Sequence, residues 1–148
     1  MLRRVLPAAL AIAITAVALT TAPAANPPVA IAGGCIRFSA TNFDAPGDDN
    51  QAGNLNGEWV RIKNVCGSRK AIGGWKIHDY KKIHVYRFPA GTYIGGGNTI
   101  TLYSGRGSDT SGKRYWDRTY GAVWNNSAPE FAYLRNGSGT LKSRVTEY

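Results

Sequence analysis

Cysteine and histidine are scarce in this sequence, which contains only Cys35 and Cys66, and only His78 and His84. A structural zinc site needs four ligands at characteristic spacings, and the two histidines lack that spacing. We therefore expect no zinc site. In an oxidising compartment, a single pair of cysteines tends to form a disulfide, so export of the chain would predict a Cys35 to Cys66 bridge.

A long apolar run is also missing. The most apolar segment, residues 5–19, is interrupted by Pro7 and Thr15 and is shorter than the ~20 residues that cross a bilayer. Two arginines precede this segment and Ala-Pro-Ala follows it at 22–24, a pattern typical of a secretory signal peptide. The sequence predicts a signal peptide over 1–24, a secreted protein and no transmembrane segment in the mature chain.

The next segment, 25–34, is rich in alanine and proline and has no charged residue, which predicts a flexible linker. An alternative is a lipoprotein, because small residues at 32–34 precede Cys35, which would then be acylated. Alanine stands at 32, where such signals favour leucine, so cleavage near residue 24 is the favoured prediction. The remaining residues, 35–148, are enough for one domain with one core.

Acidic residues are half as frequent as basic ones, with 9 Asp and Glu against 18 Lys and Arg. Loss of the signal peptide would remove two arginines and no acid, so the mature chain would keep an excess of about seven positive charges. Such an excess favours acidic partners. Extracellular DNA, phosphate-bearing wall polymers and anionic lipid surfaces all fit this description.

No stretch offers a convincing helical stripe of apolar residues. Short segments rich in β-branched and aromatic residues instead alternate with glycine, asparagine and proline, which is typical of a β-sandwich or barrel. Within 74–79, Trp75 and Ile77 share one face, and we expect Trp75 to lie between two sheets. The predicted strands are 35–43, 58–65, 74–79, 83–88, 99–103, 115–116, 130–135 and 140–146.

Several segments resemble one family in its own order. They are LNGEWV at 55–60, GWKIHD at 74–79, YRFP at 86–89, YSGRG at 103–107, WNN at 124–126 and AYLRN at 132–136. This order resembles the lamin tail domain, and FDAPGDD at 43–49 resembles its secreted bacterial branch of the actinobacterial type. The resemblance covers residues 35–148 and implies an all-β, immunoglobulin-like β-sandwich with no catalytic residue. It departs from the family at 128–130, where APE replaces the usual Gly-Asp.

His78, Asp79 and His84 form the one cluster with a catalytic character, since a histidine can act as a general base that an aspartate orients. Neighbouring strand residues point to opposite faces, so His78 and Asp79 should not touch. No nucleophile motif accompanies them. The sequence therefore predicts no catalytic residue, and a small hydrolase that relies on His78 or His84 is the weaker alternative.

Asp44, Asp48 and Asp49 place oxygen ligands in one predicted turn, and secreted domains often hold Ca²⁺ in such turns. The spacing is not that of an EF-hand, and a solvated turn at Pro46 and Gly47 is the other interpretation. We expect no cofactor, with calcium at these aspartates as the alternative.

Basic and aromatic residues alternate in two regions, where the cations could pair phosphates and the rings could stack on bases or sugars. The cations are Lys81, Lys82, Arg87, Arg106, Lys113, Arg114 and Arg118, and the rings are Tyr80, Tyr86, Tyr115, Trp116 and Tyr120. The alternative is that the cations keep the domain soluble while the rings fill the core.

The function predicted from these observations is a secreted, non-enzymatic binding module for an extracellular polyanion, such as DNA or a wall polymer, or for a protein. An accessory nucleic-acid-binding module of an extracellular nuclease system is the alternative, because lamin tail domains often accompany secreted nucleases. No small-molecule substrate is expected.

Overall fold

The computed structural model describes residues 29–30, 34–45, 55–124 and 129–147. No helix in these ranges is long and apolar enough to span a membrane. Their strands are β1 (Val29–Ala30), β2 (Ile36–Asn42), β3 (Trp59–Asn64), β4 (Lys70–Ala71), β5 (Lys76–His78), β6 (Val85–Arg87), β7 (Tyr93–Ile94), β8 (Thr99–Tyr103), β9 (Lys113–Tyr115), β10 (Glu130–Arg135) and β11 (Leu141–Glu147). A 3₁₀ helix, Leu55–Gly57, precedes β3.

The strands form two main sheets. One sheet has five strands in the order β1-β11-β10-β5-β6, the other has four in the order β2-β3-β8-β9, and β4 pairs with β7 as a separate ribbon. All pairs are antiparallel except β8 with β9. The predicted all-β, immunoglobulin-like β-sandwich is confirmed. β1 falls within the predicted 25–34 linker, and the domain boundaries stay a prediction.

Alternation along the strands explains the two layers. In β3, Val60 and Ile62 are buried while Lys63 is exposed, and in β10, Ala132 and Leu134 are buried. Side chains of successive strand residues point to opposite faces, so each strand contributes one apolar row. The rows of both sheets meet in one cluster, whose members include Ile36, Phe38, Val60, Ile62, Ile77, Ile100, Leu102, Ala132, Leu134 and Val145.

The prediction for Trp75 needs correction. Trp75 is partly buried and packs at the margin of the core, whereas Trp124 is 1 % exposed and occupies the interior. Trp124 stacks on Phe43 and meets Trp116 edge to face. The two glycines before Trp75 form a turn that precedes β5, at the end of the sandwich, where the Trp75 side chain stays partly exposed.

A buried carboxylate holds the segment that contains Trp124. Glu58 is 1 % exposed, and its two carboxylate oxygens accept hydrogen bonds from the backbone N–H groups of Val123 and Trp124 at 2.9 and 2.7 Å. A buried carboxylate is strongly disfavoured without such donors. Glu58 therefore ties the start of β3 to a segment more than 60 residues further along the chain.

Cys35 and Cys66 form a disulfide, as the sequence predicts for an exported chain. Beside it, the backbone N–H of Val65 donates to the Cys35 carbonyl, and the buried Asn64 side chain bonds Ser68 and Ile94. The bridge thus joins the start of β2 to the turn after β3.

Reduction of the disulfide should lower the free energy of unfolding by about 3 to 4 kcal/mol, because the reduced unfolded chain regains the entropy of a loop this long. The two cysteines are separated by 31 residues. Urea denaturation with and without reductant measures the difference. Two free thiols in unfolded, unreduced protein would contradict the pairing.

The Glu58→Gln substitution should lower the free energy of unfolding by about 1.5 to 3 kcal/mol, since one backbone N–H then meets an amide NH₂ instead of a carboxylate oxygen. Tryptophan fluorescence during urea denaturation reports the change. Glu130→Gln is a matched control, because the structure shows no backbone N–H bonded to the Glu130 carboxylate within the described residues. Equal stability of the two variants would refute the anchoring role of Glu58.

Candidate polyanion-binding face

The outer face of the four-stranded sheet carries a compact group of cations. Arg37 of β2 lies directly opposite Lys63 of β3, and Arg61 of β3 lies in one row with Thr101 and Lys113. We call Arg37, Arg61, Lys63 and Lys113 the cationic face. No acidic residue occupies an outward position on these four strands. The arrangement concentrates positive charge within two rows about 7 Å apart along the strands.

A row of aromatic rings lies beside the cations. Trp59, Tyr103 and Tyr115 are neighbours across β3, β8 and β9, and the two tyrosine rings stack with centroids 5.3 Å apart. The backbone of Gly107 packs tightly against the Tyr115 ring, because a β-carbon at position 107 would clash with that ring. The two tyrosine rings therefore stack on each other, and Tyr115 also packs against Gly107, beside the cations.

Arg61 is held in place by its neighbours. Its guanidinium lies over the Trp59 ring, 4.9 Å from the centroid, and its Nε donates to the Thr101 hydroxyl at 3.0 Å. A guanidinium presents further donors in a planar fork, and prior fixation reduces the entropy lost when an anion binds. Arg61 is thus oriented before any ligand arrives.

The fold uses most of its described carboxylates internally. Besides Glu58, Asp79 accepts from the backbone N–H of His84, and Glu147 accepts from the backbone N–H of Phe43 and from a threonine hydroxyl. Asp109 accepts from the Tyr115 backbone and lies 3.6 Å from the Arg114 guanidinium. These carboxylates stabilise loops and strand ends, and no acidic residue lies within β2, β3, β8 or β9.

The structure does not bring the seven predicted cations onto one face. Lys113 points outward from the four-stranded sheet, whereas Arg87 lies on the outer face of the other sheet, in register with Lys76. Lys81 and Lys82 lie in the turn between β5 and β6. Arg114 lies in β9 next to Lys113 but points to the opposite face, and Arg106 and Arg118 lie in the loops on either side of β9.

Two of these three arginines make contacts within the fold. Arg118 donates to the carbonyl oxygens of Tyr120 and Gly121, and Arg114 contacts Asp109 and the Lys113 carbonyl. The predicted aromatic rings likewise divide into rings that pack within the fold and rings that are exposed. Tyr86 and Trp116 pack against the core, while Tyr80 and Tyr120 are more than 60 % exposed.

Sequence reasoning missed Arg37, Arg61 and Lys63. The signal was available in β3, where Arg61 and Lys63 alternate with the buried Val60 and Ile62. Alternation within β3 does not predict that Lys63 lies opposite Arg37, because that pairing depends on the register of β2 against β3.

The lamin tail domain family matches residues 30–148. This chain belongs to the lamin tail domain family. No curated protein matches the sequence. The family has a non-enzymatic, immunoglobulin-like fold. In this member, Asn56 and Glu58, both in the family-like segment 55–60, have structural roles. The Asn56 amide donates to the Arg106 carbonyl, and Glu58 anchors the segment around Trp124.

The histidine cluster of this lamin tail domain makes structural contacts. The His78 ring bonds the backbone carbonyl of Asp79 through Nδ1 at 2.7 Å, accepts from the Arg135 Nε through Nε2 at 3.1 Å, and stacks on Tyr133. The Asp79 carboxylate instead lies near His84, 3.7 Å from its Nδ1. As expected, the His78 and Asp79 side chains form no pair. Burial, reinforced by nearby arginines, lowers the pKa of both histidines.

The predicted calcium turn lies mostly outside the described residues. Asp44 is exposed, and its backbone carbonyl accepts from the Asn42 amide, but Asp48 and Asp49 lie in the range that the structure does not describe. Within the described ranges no group of three His, Cys, Asp or Glu side chains is placed to hold a metal ion. Calcium binding stays a prediction.

The stability of the domain should fall as the pH drops through about 6.5, the ordinary pKa of histidine. Both histidines have a lowered pKa in the folded protein, so the unfolded chain takes up protons first. Their contribution is complete above the unfolded pKa and is lost as the pH falls towards the folded pKa. Urea midpoints at about pH 7 and pH 5 measure it. The doubly substituted His78→Gln, His84→Gln protein should lose less stability over that interval; an equal loss would assign the effect to carboxylates.

Proposed function

We propose that this lamin tail domain is a secreted, non-enzymatic module that binds an extracellular polyanion through the cationic face. The observation that carries the proposal is the direct opposition of Arg37 and Lys63 on neighbouring strands. Like charges in that position destabilise a sheet. No carboxylate among the outward strand residues relieves the repulsion, and a bound anion would do so.

The geometry favours recognition of repeated phosphates over recognition of bases. The tyrosine rings beside the cations stack on each other, which limits stacking on a ligand. Phosphate contacts carry no sequence information, so we expect affinity for a phosphodiester chain without base specificity. DNA and a phosphate-bearing wall polymer share this chemistry. Binding of DNA would also suit the alternative role as an accessory module of an extracellular nuclease system.

The outer face of the five-stranded sheet is the weaker candidate, because its arginines already have partners. Arg87 donates to the Gly74 carbonyl, and Arg135 donates to His78 and to the Gly139 carbonyl. By contrast, the structure shows no hydrogen bond from the side chains of Arg37, Lys63 or Lys113 within its described residues. Their charges remain available to a ligand.

Secretion and membership in the secreted bacterial branch belong to the same proposal. The disulfide supports an oxidising compartment, and the predicted signal peptide over 1–24 would deliver the chain there. A protein partner and a histidine-dependent hydrolase remain the alternatives from the sequence. Both ring nitrogens of His78 already have partners, which favours binding over hydrolysis at that residue.

Salt dependence and charge reversal test the proposal. Affinity for duplex DNA should fall with salt along a log-log slope of about −3 to −4, as expected when four cations neutralise phosphates. The doubly substituted Lys63→Glu, Lys113→Glu protein should bind at least about tenfold more weakly at low salt. Fluorescence anisotropy with DNA duplexes of unrelated sequence, and with poly(glycerol phosphate), distinguishes the two sources of phosphate.

The matched control is Lys81→Glu with Lys82→Glu, which makes the same charge change in the turn between β5 and β6. This control should retain most of the affinity. Glutamate at 63 would face Arg37, an opposite-charge pair that keeps the sheet stable. Equal losses in the two double variants would mean that net charge acts without a defined face, and absence of binding to both polymers at low salt would refute the proposal.

A further inference from the structure

A cavity of about 470 Å³ lies at one end of the sandwich, beside the disulfide. Its walls come from the start of β2, from β4, from the turn that holds Trp75, and from the hairpin between β10 and β11. This volume is within the range of small-molecule sites, which are mostly apolar with a few polar groups. The cationic face contributes no residue to it.

The polar side chains that line this cavity can all donate hydrogen bonds. Lys70 and Lys142 line it together with Trp75 and Asn136, and no acidic residue does. All four side chains are partly buried. Within the described residues, neither the Trp75 indole N–H nor the Asn136 amide nitrogen has a hydrogen-bond partner. Two ammonium groups and two neutral donors suit an anion.

Local structure orients two of these residues. Leu134 pairs with Ser143, but Arg135 pairs with Leu141, so Lys142 is the extra residue of a β-bulge. A bulge redirects a side chain away from its regular face, and Lys142 here lines the cavity. The Asn136 side-chain oxygen accepts from the Thr140 backbone at 2.7 Å, which fixes the amide.

Two other cavities of similar volume lack this combination. One, of about 500 Å³, has Arg87 as its charged residue, and Arg87 already donates to the Gly74 carbonyl. Another, of about 450 Å³, lies beside the turn around Gly97 and is lined by no charged residue. Among these three, a pair of lysines beside a tryptophan occurs only in the cavity next to the disulfide.

We propose that this cavity binds an anionic sugar, a pyranose-sized ring that carries a carboxylate or a phosphate. The sugar ring packs on the Trp75 indole where it lines the cavity, the acidic group lies between Lys70 and Lys142, and the Asn136 amide donates to a hydroxyl. Indole rings offer a large apolar surface with one polar N–H, which matches a sugar ring with apolar faces and polar edges. The site is independent of the proposed polyanion face.

Titration of the folded, disulfide-bonded protein with glucuronate, glucose 6-phosphate and glucose tests the proposal. The indole N–H signal of Trp75 in a ¹H–¹⁵N spectrum should shift and saturate with one or both anionic sugars, and glucose should bind at least about tenfold more weakly. Comparison of the two anionic sugars separates a carboxylate ligand from a phosphate ligand.

The variant for this test is Lys70→Gln with Lys142→Gln, which removes both charges and keeps polar side chains that are only one atom shorter. It should bind the anionic sugar at least about tenfold more weakly, whereas the control Lys63→Gln with Lys113→Gln should bind it as the unaltered protein does. The control should lose affinity for DNA, so the two proposals fail separately. No saturable shift with either anionic sugar, equal affinity for glucose, or unchanged binding by the Lys70, Lys142 variant would overturn the cavity proposal.

Discussion

The buried carboxylate of Glu58 organises the interior of this domain. Its two oxygens bind consecutive backbone N–H groups at Val123 and Trp124, and the Glu58 carbonyl accepts from the N–H of Ser104. One residue thereby connects β3, the end of β8 and the segment that carries the most buried tryptophan. A neutral or shorter side chain could not satisfy both donors inside the core, so the position of Trp124 depends on this carboxylate.

Structural use of the acids also shapes the surface. Glu58, Asp79 and Glu147 bind backbone N–H groups, and Asp109 binds both the Tyr115 backbone and Arg114. These acidic side chains therefore hold loops and strand ends in place, while cations occupy outward strand positions. In the proposed complex, a bound anion would relieve repulsion such as that between Arg37 and Lys63.

The cations that the sequence singles out and the cations that share one face in the structure are different sets. Lys113 was identified because basic and aromatic residues alternate around it, and it does belong to the cationic face. Arg114 was grouped with it, but the neighbouring residue on a strand points the other way, and Arg114 contacts Asp109. Arg37 and Lys63 were missed because they are 26 positions apart in the sequence and meet only through strand pairing.

Local patterns in the sequence were sufficient for the all-β class, most strand positions, the family and the pairing of two cysteines, because alternation and turn residues act over a few positions. Register, burial and charge opposition arise from contacts between distant segments. Trp75 illustrates the limit. The two glycines before it predict a turn and its size predicts a place in the core, yet Trp124 occupies the interior and Trp75 is only partly buried. The cavity beside the disulfide likewise exists only where β2, β4 and the β10–β11 hairpin meet, since no single segment supplies both lysines.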